Sequence, residues 1–242
     1  MIRQAVIVGA TSGIGLEVAR AMWQKGITLG VAGRRTERLD AFARECGSRV
    51  FTQEIDVTRE DAPERLLSLI DRMGGVDLIF LCSGIGSQNP ELDPSVELRT
   101  VETNAVGFTR MITAAYRYFK GKGGGHIAAV TSIAGTKGLG IAASYSATKR
   151  YQNIYIQCLA QMSAMNGDRV RFTDIRPGFV DTDLLKSGKF PMLMKPDYVA
   201  RIIVRAVMRR RRVVVVDWRY AVLVALWRMI PRCIWERMKV KN

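Results

Sequence analysis

The sequence is poor in the residues that build metal centres and covalent staples. It has one histidine, His126, and four cysteines, Cys46, Cys82, Cys158 and Cys233, with no close pair among them. Neither a zinc site nor a disulfide framework is indicated, no metal is expected, and a reducing compartment is the default. Long apolar runs are also missing, since none reaches the roughly 18 residues that a spanning helix needs. The first residues pass from Arg3 straight into Ala5–Ala10 and then glycines, too short an apolar stretch for a signal peptide. A cytoplasmic setting is therefore expected. There is no internal repeat and no low-complexity linker, and 242 residues suit one large α/β domain better than two.

Acidic residues are scarce as well. The formal charge is +15, and from Arg205 to Asn242 eleven Lys and Arg face only Asp217 and Glu236. Most of the basic excess is thus a property of the tail. No nucleic-acid role is expected from it, because neither a binding motif nor a stacking platform accompanies the charge.

What is present alternates. Ala5–Ala10 reads as a strand, and Gly9-Ala10-Thr11-Ser12-Gly13-Ile14-Gly15 turns tightly into a helix closed by Gly26. Glycines at 9, 13 and 15 let the backbone approach a pyrophosphate at the positive helix end. A second strand, Ile27–Ala32, ends in Gly33-Arg34-Arg35, with no acid before Glu37. At this place a dinucleotide fold puts either an acid for a ribose hydroxyl or an arginine for a 2′-phosphate. Arg34 and Arg35 could also simply be the solvated start of a helix over Thr36–Cys46. Strands near Arg49–Glu54, Asp77–Cys82, His126–Ile133, Arg169–Ile175 and Val213–Val216 follow. Between them come helices from about Pro63, Val96, Ser144 and Pro196, the second running to Phe119. Seven strands alternating with six helices predict a doubly wound Rossmann-type α/β fold, a seven-stranded parallel sheet flanked by helices, over residues 1–216. A basic amphipathic extension, residues 217–242, would complete the chain. His126 opens a strand and reads as structural.

Tyr145 and Lys149 stand four apart on one predicted helix, about 6 Å along its axis, and so share a face. Ser132, at the carboxyl end of a strand, can face the same spot, where open α/β sheets bind ligands. A lysine cation about 5 Å from a phenol, at an effective dielectric near 20, would favour the phenolate by roughly 3 kcal/mol, about two pKa units. Tyr145 could then exchange a proton with a carbonyl or alcohol oxygen that Ser132 holds. Alone, a Tyr and a Lys at this spacing are commonplace on helices.

Taken jointly, the glycine motif Gly9–Gly15, Asp56, Asn104-Ala105-Val106-Gly107, Ser132, Tyr145-Ser146-Ala147-Thr148-Lys149, and Pro177-Gly178 with Thr182 resemble the short-chain dehydrogenase/reductase family, from residue 3 to about 216. The resemblance implies an NAD(P)(H)-dependent oxidoreductase acting on a ketone, aldehyde or secondary alcohol. It implies Tyr145 as general acid/base, Lys149 as the group that tunes it and binds the nicotinamide ribose, and Ser132 as the oxygen anchor. It also implies that Asn104 holds a water in a proton relay from Lys149. Cofactor contacts are implied at Gly9, Thr11, Ser12, Gly13, Ile14, Gly15, Asp56 (adenine), Val57, Ser83, Gly84, Pro177, Gly178, Val180 and Thr182 (carboxamide or phosphates). NADP is expected over NAD, on Arg34 with Arg35, although Ser12 stands where many NADP-dependent members carry a base. Leu81-Cys82-Ser83-Gly84 departs from the family's usual Asn-Asn-Ala-Gly. A homodimer or homotetramer pairing through the helices from Val96 and Ser144 is likewise implied.

Phe179, Leu184, Leu185, Phe190 and Met192-Leu193-Met194 follow Pro177, and their apolar content suggests a lipophilic substrate; the methionines could instead be core. In the tail, Leu223, Leu226, Trp227 and Ile230 recur at helical spacing, and Pro231 breaks the helix before a stripe of Ile234, Trp235 and Met238 among Arg232, Arg237, Lys239 and Lys241. Peripheral contact with an anionic membrane, at its inner face, suits this pattern. A helix folded over the substrate site or buried in a subunit contact suits it too. A catalytically idle NAD(P)-binding scaffold or membrane-associated regulatory module is the alternative function.

Overall fold

A computed structural model describes residues 2–185 and 190–240. Seven parallel strands stand in the order β3-β2-β1-β4-β5-β6-β7. They are β1 (Gln4–Val8), β2 (Thr28–Gly33), β3 (Val50–Glu54), β4 (Leu78–Leu81), β5 (Gly125–Val130), β6 (Val170–Arg176) and β7 (Val213–Val215). β1 pairs with β2 on one side and β4 on the other, so the winding direction reverses between β1 and β4. A crevice opens at such a switch point, outside the carboxyl ends of the strands.

The central strands are buried on both faces, and their alternation sorts the molecule into two cores. Ala5, Ile7, Leu78 and Phe80 face the layer of α1 (Gly13–Trp23), α2 (Thr36–Cys46), α7 (Pro196–Met208) and α8 (Trp218–Met229). Val6, Val8, Ile79 and Leu81 face α3 (Ala62–Arg72), α5 (Phe108–Gly121) and α6 (Ala143–Asn166). α6 ends where Gly167 takes a left-handed conformation, φ +69°, which costs glycine least.

The helix expected over Val96–Phe119 is interrupted. It runs as α4 (Pro94–Val101), a π turn over Glu102–Gly107, and then α5. Asn104 and Gly107 both lie in the π turn. A Cβ on Gly107 would come within 2.9 Å of the Val57 carbonyl, so the widened turn passes directly over the loop after β3.

The tail is a built part of the fold on one face. Asp217 caps α8 by accepting from the Arg219 N–H, and Tyr220 and Val224 are buried in the first core. After Pro231 comes the short α9 (Arg232–Trp235). Among the described residues no helix is long and apolar enough to cross a membrane.

Candidate active site

Ser132 lies just past the end of β5, in extended backbone, and its Oγ accepts from the Ala134 N–H at 3.0 Å. From α6, Tyr145 and Lys149 reach the same place. The Lys149 ammonium is 5.6 Å from the centre of the Tyr145 ring and donates to the Val130 carbonyl at 3.2 Å. The segment after β4 closes the other side. A Cβ on Gly86 would sit 2.6 Å from the Tyr145 ring, and one on Gly84 would sit 3.5 Å from Lys149 Nζ. Gly86 was not singled out by sequence, yet its bare backbone is what lets the ring lie there.

Burial governs the acidities. Lys149 is only 4% exposed, and desolvation pushes its pKa down to about 8 against the opposing influence of Cys82 and Asp174. Desolvation also raises Tyr145, with the Ser132 hydroxyl opposing. The expected lowering of Tyr145 by Lys149 is therefore corrected: removing the phenol from water raises it, and the opposing influence is the Ser132 hydroxyl. Burial likewise drives the Cys82 thiol up to about 12, so it remains a neutral thiol.

Asn104 is fully buried and clamps the segment after β4. Its Oδ1 accepts from the Ile85 N–H at 2.9 Å, and its Nδ2 donates to the Ile85 carbonyl at 2.7 Å. This two-point hold secures a stretch that lacks the family's usual asparagines. The Asn104 carbonyl, in turn, accepts from Gln152 Nε2 at 2.8 Å, while Gln152 Oε1 accepts from Lys149 Nζ at 3.1 Å. Where the resemblance implies a water between Asn104 and Lys149, a side-chain amide spans the two. Gln152 was missed by sequence reading. Its signal was a polar residue three positions after Lys149, on the helix face that turns inward. Beside it, Asn153 donates to Thr131 Oγ1 and to Asp174, which Arg176 grips with two nitrogens at 2.9 and 2.6 Å.

The glycine turn lies at the carboxyl end of β1. A Cβ on Gly15 would fall 2.0 Å from the Gly9 carbonyl oxygen, and one on Gly9 would fall 2.7 Å from the Ser83 nitrogen. Three segments therefore meet as bare backbone. Ser12, in extended backbone, leads into α1, whose first turn carries no acid. Among the described residues the N–H groups of Thr11, Ser12, Gly13 and Ile14 have no backbone hydrogen-bond partner, which leaves the positive end of α1 a set of donors for a phosphate. Thr182 faces Gly13, whose Cβ would be 3.0 Å from the threonine methyl. A dinucleotide fits this donor set.

Arg34 and Arg35 part company. Arg34 is exposed. Arg35 folds over the turn, donating to Thr11 Oγ1 at 2.8 Å and Ser12 Oγ at 2.6 Å. Arg38, absent from the sequence reading, stands next to it and shares Asp183 with it at 3.6 to 3.8 Å. Asp56 turns its carboxylate to the N–H and hydroxyl of Thr58 at 3.0 and 2.8 Å, and Val57 is buried beneath α5.

Beyond β6 the Pro177 carbonyl accepts from the Ile133 N–H at 3.1 Å. Gly178 lies under the Tyr220 ring, where a Cβ would be 2.2 Å away, and Val180 bridges to Met194. Met194 is buried and Met192 packs on the core, so these two methionines are core, whereas Leu193 is exposed. Phe179 and Phe190 meet at 4.9 Å. Residues 186–189 of this apolar loop lie outside the described residues.

The tail reaches the same region. The Tyr220 hydroxyl accepts from the Phe179 N–H at 3.1 Å and donates to the Pro191 carbonyl at 2.9 Å. Trp235 Nε1 donates to the Gly138 carbonyl at 2.7 Å, and Lys137 Nζ donates to the Ile230 carbonyl at 2.6 Å. α8 and α9 thus hold both loops that flank the Ser132–Tyr145 cleft.

A sequence model described as short chain dehydrogenase matches residues 3–189. The chain belongs to the short-chain dehydrogenase/reductase family. This short-chain dehydrogenase is 31% identical over 242 residues to an uncharacterized oxidoreductase of Myxococcus xanthus, covering 97% of this chain and 95% of that one. An uncharacterized oxidoreductase of Mycobacterium tuberculosis is 30% identical, with 95% of each covered. Among solved structures, an alcohol dehydrogenase from the archaeon Thermococcus sibiricus, complexed with 5-hydroxy-NADP, superposes with TM-score 0.78 at 28% identity, over 88% of this chain and 95% of that one. A 3-ketoacyl-(acyl-carrier-protein) reductase from Brucella melitensis, complexed with NADH, superposes with TM-score 0.79 at 26% identity, over 89% and 96%. The chain is accordingly an oxidoreductase.

Proposed function

We propose that this short-chain dehydrogenase reduces a lipophilic ketone or aldehyde, or oxidises the corresponding secondary alcohol, with NADP as the preferred cofactor and NAD accepted. The observation that carries the reading is the meeting of Ser132, Tyr145 and Lys149 at the carboxyl end of β5, beside a glycine turn with unpaired N–H groups. The cofactor, when bound, supplies or accepts the hydride. Tyr145 gives its phenolic proton to the substrate oxygen in reduction and takes it back in oxidation. Its raised pKa keeps the proton in place at neutral pH, which suits the reductive direction. Ser132 Oγ holds the same oxygen, a contact that strengthens as charge develops there. Lys149, fixed by Val130 and Gln152, sets the field at the phenol.

Gly9, Gly13, Gly15 and the N–H groups of Thr11, Ser12 and Ile14 would hold the pyrophosphate. Asp56 and Val57 would flank the adenine, while Ser83, Gly84, Pro177, Gly178, Val180 and Thr182 would line the nicotinamide side. NADP preference is supported by the exposed guanidinium of Arg34, by Arg35 and Arg38 over the turn, and by the absence of an acid at the end of β2. Phe179, Leu184, Leu185 and Phe190 supply the apolar wall that suits a lipophilic substrate.

Two further properties belong to this reading. The helices α4 to α6 expose Leu98, Val106, Tyr151, Ile154 and Met165, an apolar face that supports pairing of two copies into a homodimer or a homotetramer. The tail differs from its expected orientation. Leu223 and Trp227 turn inward, whereas Trp218 (73% exposed), Val222, Leu226 and Met229 (71%) form the outer stripe of α8. Ile234 and Met238 continue it, with Arg228, Arg237 and Lys239 alongside. A helix apolar on both faces needs a cover on its outer one, and the neighbouring cations support an anionic membrane surface as that cover, at the inner face of a membrane.

The test of the activity is a carbonyl screen read by NADPH oxidation, repeated with Tyr145→Phe. Loss of about 100-fold or more in turnover, with cofactor binding retained, is expected for a missing proton donor. Wild-type turnover in Tyr145→Phe would refute the proton chemistry, and a silent screen with tight cofactor binding would favour an idle scaffold.

A further inference from the structure

At the end of the sheet opposite the glycine turn lies a cavity of about 310 Å³. Its wall includes Asp77 ahead of β4, Lys122 and His126 around the start of β5, Arg169 and Arg171 at the start of β6, and Arg210 ahead of β7. Four cations thus face one carboxylate, and that carboxylate is committed, accepting from the Arg3 and Gln4 N–H groups at 2.7 and 3.1 Å. Lys122 donates to the Val76 carbonyl at 2.6 Å. Asp168, the acid next to Arg169 in sequence, is held by Lys120 and Tyr116 instead. Among the described residues Arg169, Arg171 and Arg210 have no carboxylate partner. Arg169 and Arg210 also share a left-handed backbone, φ +55° and +54°, a conformation unfavourable for residues with a side chain and one that gathers at ligand clamps.

His126, on the cavity wall, is a reporter of the site and not one of its anion donors. It is 4% exposed, and its Nε2 lies 2.9 Å from Thr173 Oγ1, whose own proton goes to the Arg211 carbonyl at 2.7 Å. Nε2 must therefore donate, and Nδ1 is left as a buried nitrogen without a partner. Burial, reinforced by Arg210 and Arg171, pushes the ring's pKa down to about 4.

We propose that this cavity binds a small multivalent oxyanion of the phosphate or polyphosphate class, at a site separate from the nucleotide cleft. Guanidinium forks match phosphate oxygens two at a time, and a concave wall of like charges concentrates anions. The cleft and the cavity lie at opposite ends of β1 and β4, about 15 Å of strand apart. Burial is the larger reason the ring stays neutral, but an anion beside Arg171 and Arg210 offsets the part those two cations add, so occupancy raises the proton affinity of the ring. As the sole imidazole of the chain, it reports on the site without ambiguity.

The experiment is a titration of the full chain with inorganic pyrophosphate at constant ionic strength, followed by the His126 ring resonances and by calorimetry. Saturable movement of the ring with a Kd below about 1 mM is expected, together with a rise of about tenfold or more in its proton affinity. In Arg171→Gln/Arg210→Gln, binding should weaken about tenfold or more. The anion-free pKa of His126 should rise there, because the repelling cations are gone. The resonance of a correctly placed ring also shows that the variant is folded. A ring that does not respond, that moves equally with sodium chloride at matched ionic strength, or that keeps its response in the double variant would overturn the site. So would binding of an oligonucleotide with no response to pyrophosphate.

Discussion

Gln152→Leu tests the placement of Lys149 directly. The substitution nearly conserves volume, but it removes the acceptor at 3.1 Å from Lys149 Nζ and the donor at 2.8 Å from the Asn104 carbonyl. Both partners are buried. The lost bond is to a charged donor, so about 1.5–3 kcal/mol of preference for the ammonium disappears with it. At about 1.36 kcal/mol per pKa unit, this takes Lys149 from about 8 to roughly 6 or 7. The folded-state pKa lies below the 10.5 of an unperturbed lysine, so burying the amine costs stability below about pH 8, and the cost is relieved as pH rises from 8 to 10.5. In Gln152→Leu the cost at pH 7 grows by about 1 kcal/mol or more. The assay is the pH titration of Lys149 Cε in protein labelled with ¹³C-lysine. Gln152→Glu should move the same resonance the other way, because a carboxylate beside the ammonium favours the charged form. Turnover in alcohol oxidation at neutral pH should fall about twofold to tenfold in Gln152→Leu, as the ammonium beside the phenol is lost from that share of the molecules. If Lys149 titrates at one pH in the wild type and both variants, the amide does not hold it, and the reasoning fails whether or not Tyr145 is the proton donor.

The remaining expectations concern cofactor, assembly and tail. NADPH should bind about tenfold to a hundredfold more tightly than NADH, from charge-assisted bonds worth about 1.5–3 kcal/mol; equal affinities in fluorescence titration, unchanged in Arg34→Ala and Arg35→Ala, would remove the arginines from this role. Light scattering at micromolar concentration should show an oligomer, and Ile154→Asp with Met165→Asp should dissociate it, whereas a monomeric wild type would show that the exposed face of α4 to α6 is not a subunit contact. The full chain should float with anionic liposomes at low salt, and Trp218→Ser with Met229→Ser, which leave the inward face of α8 intact, should not; equal flotation of both would exclude the outer stripe.

Particular residues show how far the sequence could be followed. Gly9, Gly13 and Gly15 were legible because a tight strand-to-helix turn permits little else, and Tyr145 and Lys149 because helical spacing alone places them on one face. Gly86 and Gln152 were not. Gly86 matters through a ring 59 positions later in the chain, and Gln152 through an asparagine carbonyl that a π turn brings over α6. Arg34 and Arg35 were indistinguishable as letters; only the direction of the chain leaving β2 puts Arg35 on Thr11 and Ser12. The tail misled in one respect, since a run apolar on both faces has no periodicity that says which face turns inward.

The amino-acid sequence by itself determined the alternating parallel sheet, the place of the glycine turn and the common helix face of Tyr145 and Lys149, because each is written in local spacing. The tertiary structure alone decided their acidities and their neighbours. Whether burial or a nearby cation governs Tyr145, whether an amide holds Lys149, and whether three distant arginines share one cavity all depend on what lies beside each group, and that is set by strands and helices meeting across the whole length of the chain.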